Sequence, residues 1–311
     1  MRLAALFITA CFMLTAHAGP NVEVKPHAAK KIATDTWVII GPLGEPSVQN
    51  QGFMNNPGWI IAGDQVVVID PGSSVQAGRM VVNAIRKTTG LPVTAVYNTH
   101  IHGDHWLGNQ AIREAWPNAA LIAHPDMIAR ADAGEGQTWV SLMSQMSGGY
   151  TEGTHAVVPT VATHDGMTSK FGTRTFKVHS SNDAHSKTDI MIEVDNGVLF
   201  TGDNVLNGRI GRIDDGTFKG NIRAIGQALA AQPKVVVPGH GKTGGPVILR
   251  TQRDYFQTLL DTVRTEYNAG KSDYEMKPAV AKSLAAFKQW NGFDDALGKH
   301  ISLAILEIEQ E

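Results

Sequence analysis

Positions 100 to 105, inside "YNTHIHGDHWLGN", read H-I-H-G-D-H and set three imidazoles and a carboxylate on one short stretch. In an extended segment, residues two apart project from the same face, so His100 and His102 can address a single ion. Gly103 then frees the backbone to turn, which lets Asp104 and His105 face a neighbouring position. No folding requirement accounts for this density of ionisable side chains after an apolar run. Other parts of the chain add donors: His185 in "AHSKTDI", Asp203 after "VLFTG" and His240 after "VVVPG". Seven donors exceed the four that satisfy a structural zinc ion, but they suit two ions sharing a carboxylate. Two ions about 3.5–4 Å apart can ionise a shared water near neutral pH, polarise a carbonyl or phosphoryl oxygen and stabilise a leaving group. That chemistry needs no nucleophilic serine or cysteine. Two zinc ions are the expected cofactors, since zinc outranks iron and manganese at nitrogen-rich sites, although metal availability can override that order.

Positioning these donors falls to four segments of one design, in which an apolar run ends in a polar residue near glycine, proline or threonine. They are Val66 to Asp70, Ala95 to His100, Val198 to Asp203 and Val235 to His240. Continuous apolar runs of this length suit strands covered on both faces, and open α/β sheets collect ligands beyond the carboxyl ends of their strands. Two of the runs close hairpins, one at Gly63-Asp64 and one at Asn196-Gly197, where a tight two-residue turn is expected. Helical patterns fall at Val75 to Lys87, Asn109 to Trp116, about Asn221 to Ala231 and Val247 to Asn268, with two more in the tail from Tyr274 to Glu311. Strands alternating with amphipathic helices imply a layered α/β sandwich. Residues 42 to 58 and 133 to 153 read as long loops. Their Phe53, Met54, Trp139, Met143, Met146 and Tyr150 make them candidate substrate lids.

The 27 basic and 29 acidic residues of this 311-residue chain nearly cancel, which argues against a nucleic-acid partner. The start, "MRLAALFITACFMLTAHAGP", has a short basic head, an apolar run and a small-x-small site, the pattern of a signal peptide cleaved after Ala18. The run is too short for a spanning helix, so no stable membrane insertion is expected after cleavage, and a periplasmic or secreted location follows. Cys11 is the only cysteine, so a mature chain would have no disulfide and no thiolate ligand. Nothing in the sequence specifies an oligomeric state.

Taken together, H-x-H-x-D-H at 100 to 105, "AHSKTD", "LFTGD" and "VPGHG" resemble the metallo-β-lactamase superfamily in order and spacing. The resemblance implies a four-layer αβ/βα sandwich, with residues 19 to 311 as one domain carrying C-terminal helices. It implies that His100, His102 and His185 hold one ion, that Asp104, His105 and His240 hold the other, and that Asp203 bridges them. Asp70 matches the family's outer aspartate near the ligand loop, though "DPG" also suits a plain turn. Asp189 is a second candidate outer carboxylate for a ligand histidine. Asp104 also suits orienting the water or carrying its proton. His179 competes with His185, and the "SKTD" after His185 favours the latter. His27, His124, His155, His164 and His300 read as surface or structurally satisfied residues. Lys187, Arg209, Arg212 and Lys242 lie within a few residues of ligands and are candidates for an anionic substrate group, against a plain solvated role.

An aspartate at 203 differs from the cysteine or other residue of the best-known true lactamases, and is similar to glyoxalase II thioesterases, lactonases and phosphodiesterases of this fold. The expected activity is therefore hydrolysis of a small molecule, with a metal-bridging hydroxide attacking an ester, lactone, β-lactam or thioester carbonyl. The alternative is an iron-dependent oxidoreductase resembling sulfur dioxygenases, which would leave His105 and His240 without a metal. His102 departs from the flavodiiron pattern. A non-catalytic zinc module is a third class.

Overall fold

A strand that is apolar at every position must be covered on both faces, and the computed structural model, which describes residues 23–311, supplies both covers. The first sheet runs in sequence order through β1 (Ala29–Ala33), β2 (Thr36–Ile39), β3 (Gly58–Ala62), β4 (Gln65–Ile69), β5 (Val93–Tyr97), β6 (Ala120–Ala123) and β7 (Val161–Ala162). It is antiparallel from β1 to β4 and parallel from β4 to β7. The second sheet holds β8 (Thr168–Phe171), β9 (Arg174–Ser181), β10 (Asp189–Val194) and β11 (Val198–Phe200), with β13 (Val235–Val237) parallel to β11 at one edge. A small parallel pair, β12 (Leu206–Asn207) and β14 (His240–Gly241), ties two ligand-bearing segments together.

Alternation within the apolar runs assigns each face. Val67 and Ile69 of β4 join Ile190, Ile192, Phe176 and Phe200 in the core between the sheets. Val66 and Val68 point outward onto α1 (Val75–Thr88) and α3 (Asn109–Ala115), through Val81, Ile85 and Ile112. On the far side, Met191, Leu199 and Val236 pack under α6 (Phe218–Ala230) and α7 (Val247–Asn268), which in turn support α8 (Asp273–Ser283) and α9 (Phe293–Glu309). The result is the expected four-layer αβ/βα sandwich. Each fully buried Leu, Ile or Phe contributes about 1.5–3 kcal/mol to holding it together. No helix among the described residues is long and apolar enough to cross a membrane. The signal-peptide reading, residues 1 to 18, lies outside the described residues.

Three expectations need correction. The Asn196-Gly197 turn is a three-residue loop, because Val194 pairs with Val198 and Gly197 takes φ 88° as the left-handed closing residue. Residues 42 to 57 do form a loop, but Phe53 and Met54 are buried in it rather than displayed. The supposed loop at 133 to 153 is largely α5 (Gly136–Met146), separated from α4 (Pro125–Arg130) by a kink where Gly134 takes φ 113°. Glycines at both ends of this segment hid the spacing of Trp139, Met143 and Met146 at i, i+4 and i+7, which is one helical face.

Candidate metal centre

Beyond Tyr97 the chain leaves β5, bends at His100 and Ile101, and turns into α2 (Gly103–Trp106) after His102, so His100 and His102 lie on the link past the strand end while Asp104 and His105 leave a helical turn. Asp203 follows β11 and His240 follows β13, at the same edge of the sandwich. His185 comes from the turn before β10. The structure brings the ligand atoms of three groups within 4.8 Å of one another: His100, His102 and His185; His100, His105 and Asp203; and Asp104, His105 and His240. His102 Nδ1 lies 2.9 Å from His185 Nε2, and His105 Nε2 lies 3.3 Å from His240 Nε2. Between them, Asp203 places one oxygen 3.1 Å from His105 Nε2 and the other 3.3 Å from His240 Nε2 and 3.7 Å from His185 Nε2. Asp104 Oδ2 stands 3.1 Å from His240 Nε2. Asp203 thus sits between the two triads, as a shared carboxylate must.

The surroundings aim these rings. His105 Nδ1 donates to Asp70 Oδ2 at 2.7 Å, His240 Nδ1 donates to the Met54 carbonyl at 2.9 Å, and His102 Nε2 donates to Asp215 Oδ2 at 3.0 Å. The Thr99 hydroxyl donates to Asp70 at 2.7 Å, which leaves its oxygen to accept from His100 Nδ1 at 3.0 Å. In each case the outer bond takes the ring proton and turns the other nitrogen's lone pair inward. His100 Nε2, though buried, has no hydrogen-bond partner among the described residues. Inward lone pairs facing two carboxylates repel unless protons or cations lie among them, so this donor set fits divalent metal ions.

Proton distribution tells the same story. Burial, followed by the neighbouring imidazoles, holds His100 well below the usual histidine range, and burial beside His102 pulls His185 down to about 3. Burial works against charge on Asp104 and Asp203 too, but the imidazoles of His105 and His240 outweigh it and keep both carboxyls well below their ordinary range. His105 and His240 are raised despite burial, because Asp104 and Asp203 surround them with negative charge. His105 and His240, flanked by Asp104 and Asp203, therefore hold the protons that a metal ion would displace.

Asp70 carries more than a turn. It adopts φ 50°, uncommon for a residue with a side chain, and its two oxygens bind the Thr99 N–H, the Thr99 hydroxyl and His105. Asp189 does not meet a ligand ring: it is buried and accepts from the Ser186 N–H and hydroxyl at 2.7 and 2.6 Å, so it shapes the His185 turn instead. Burial pushes its carboxyl up to about 8, against the pull of those donors. The role expected for Asp189 falls to Asp215, which sequence reasoning missed. His179 is engaged with Glu193 at 2.7 Å, away from the cluster.

A cleft leads to the centre, lined by Trp139, Leu142, Met143 and Met146 of α5 together with Glu45, Met54, Arg209 and Arg212. Trp139 packs against His102 at a tilt of 48°, with ring centroids 4.8 Å apart. Of the four cationic candidates, Arg209 and Arg212 line this cleft. Lys187 is exposed and borders a separate hollow with Asp183 and Asp215, and Lys242 is exposed outside the cleft.

Known proteins share this organisation. The sequence profile of the Metallo-beta-lactamase superfamily matches residues 50–240, more than half of the chain. A hydroxyacylglutathione hydrolase of Prochlorococcus marinus (strain MIT 9303) is 41% identical over 69 residues, which is 22% of this chain and about a quarter (25%) of that protein. The acyl-coenzyme A thioesterase MBLAC2 of Bos taurus is 28% identical over 60% of this chain and 73% of its own length. Among solved structures, a metallo-beta-lactamase from Pontibacter korlensis superposes with a TM-score of 0.60 at 18% identity, covering 74% of this chain and 99% of its own, a likeness of fold.

Proposed function

The chain belongs to the metallo-beta-lactamase superfamily as a metal-dependent hydrolase, and from that premise we propose that it binds two zinc ions and hydrolyses a thioester or related ester, lactone or β-lactam carbonyl in a small molecule. The observation carrying this reading is the inward lone pairs of two triads flanking one shared carboxylate, Asp203. Two bound cations would supply an ionised water near neutral pH and polarise the carbonyl. His100, His102 and His185 would hold one, Asp104, His105 and His240 the other. Asp104, facing the cleft, is placed to accept or return a proton. Asp70, Asp215 and the Met54 carbonyl fix the ring orientations so that little reorganisation accompanies reaction.

Thioesters lead the substrate classes because two of the curated relatives are named for cleaving them. A single-iron oxidoreductase is disfavoured by the convergence of His105 and His240 with Asp104. The deciding experiment is a panel of thioester, ester, lactone and β-lactam substrates assayed before and after chelation, then after zinc readdition. Hydrolysis lost with the metal and restored by zinc supports the reading; rates surviving complete chelation overturn it. Export with cleavage after Ala18 is proposed alongside, and N-terminal sequencing of protein from fractionated cells tests it.

A further inference from the structure

Arg209 is 95% inaccessible, at 5% relative exposure, yet the fold satisfies little of its hydrogen-bonding capacity. Its Nη2 pairs with Glu45, while Nε and Nη1 are buried with no hydrogen-bond partner among the described residues. A buried guanidinium normally survives only with its donors matched, since each unmatched N–H forfeits its hydration. Glu45 is a weak permanent partner: its side chain is 59% exposed on the 42–57 loop, and no other group among the described residues bonds its carboxylate. Residue and partner both line the cleft that holds His102, Asp104, His185, Asp203 and His240. Arg212, half-exposed and bonded to Asp214 at 3.0 Å, adds a second cation to the same wall. Trp139, Leu142 and Met146 of α5 line the same cleft.

We propose that Arg209 is a specificity-determining residue that binds a carboxylate on the substrate, with Glu45 occupying it until that carboxylate arrives. Glu45 engages one nitrogen only. Its departure frees Nη2 together with Nε or Nη1, and either pair is the planar fork that grips a carboxylate through two parallel bonds. The substrate class is thereby narrowed, resting on the hydrolase reading, to acyl compounds that present an apolar portion to α5 and an anionic group to Arg209. A neutral analogue would leave the buried fork unmatched and be rejected.

The test pairs a binding measurement with a kinetic one, so that the two readings can fail separately. Glutaramate, which carries one carboxylate and a neutral amide, is titrated calorimetrically into zinc-loaded wild type, Arg209→Lys, Arg209→Met and Glu45→Gln, with glutaramide as the neutral control. Binding should weaken at least about tenfold in Arg209→Met, recover only in part in Arg209→Lys and tighten in Glu45→Gln, with glutaramide indifferent to all three. Separately, 4-nitrophenyl hemisuccinate and its methyl ester are compared as substrates, and the preference for the anionic ester should collapse through KM in Arg209→Met. Affinity for glutaramate equal in wild type and Glu45→Gln, or unchanged in Arg209→Met, overturns the proposal. Because Glu45 is exposed, its variant stays informative even if the Arg209 variants misfold. Arg209-dependent binding without turnover of either ester would count against the hydrolase reading alone.

Discussion

Two buried histidines, one in the C-terminal helical layer and one at the strand-end edge, show what separates a structural imidazole from a functional one. His300, in the C-terminal helical layer, is 2% exposed, and both its nitrogens are satisfied, by the Tyr255 hydroxyl and the Gly211 carbonyl at 2.9 Å each. His100, at the strand-end edge, is 1% exposed, and its Nε2 has no hydrogen-bond partner among the described residues. The helical layer closes on itself: Tyr255, Phe256 and Leu259 of α7 pack against Leu297 and Ile301 of α9 without leaving a polar atom of His300 open. The strand-end edge does the reverse, spending its outer hydrogen bonds on Asp70, Asp215, Thr99 and Met54 and so crowding the inner nitrogens toward one another and toward Asp104 and Asp203. A complete hydrogen-bond shell marks stability; a shell complete on one side only marks binding.

The contrast breaks most severely at the shared carboxylate. Asp203→Ala should lower turnover at least ~10²–10³-fold with the far-ultraviolet circular dichroism retained, because no other group bridges the triads. Kinetics with metal analysis on the folded variant checks this.

Acid should expose the closed side of the comparison. Burial lowers His300 from 6.5 to about 4, so as pH falls the unfolded chain takes up the proton first. Its contribution is whole above pH 6.5 and is lost as pH falls from 6.5 to about 4, a difference on the order of 3 kcal/mol. Urea unfolding of wild type and His300→Gln at pH 7 and 4.5 isolates this slope from that of the metal cluster, since only the histidine differs.

Asp70→Asn sharpens the open side. Asparagine tolerates the left-handed backbone of this position, so the change removes charge more than geometry. Metal affinity should fall roughly 10–100-fold, as measured by competition with a chromophoric chelator. The smallest effect belongs to the cleft wall: Trp139→Ala should raise KM within about tenfold while metal content holds, visible in steady-state kinetics of any active substrate.

How much of this could be read beforehand depended on whether a signal was local. Donors at the ends of apolar runs announce themselves, because strand and donor are adjacent in the chain, and the sandwich follows from the same runs. Asp215 could not be read that way: it meets His102 from 113 positions away, and "DDG" looks like an ordinary turn. Asp189 misled for the converse reason, being close in sequence to His185 yet bonded to Ser186. Helix α5 was obscured by its flanking glycines, although the spacing of Trp139, Met143 and Met146 carried the pattern. The partner of Arg209 lies 164 positions away on a loop, so its half-satisfied state is a property of the folded chain alone.

The central claim is that the edge of the sandwich holds a pair of cations around Asp203, and the most direct measurement is the stoichiometry of zinc bound by the purified, metal-stripped protein on titration. Saturation at two equivalents per chain, falling to one or none in Asp203→Ala, is the predicted result. Saturation of the native sequence at a single equivalent would contradict it.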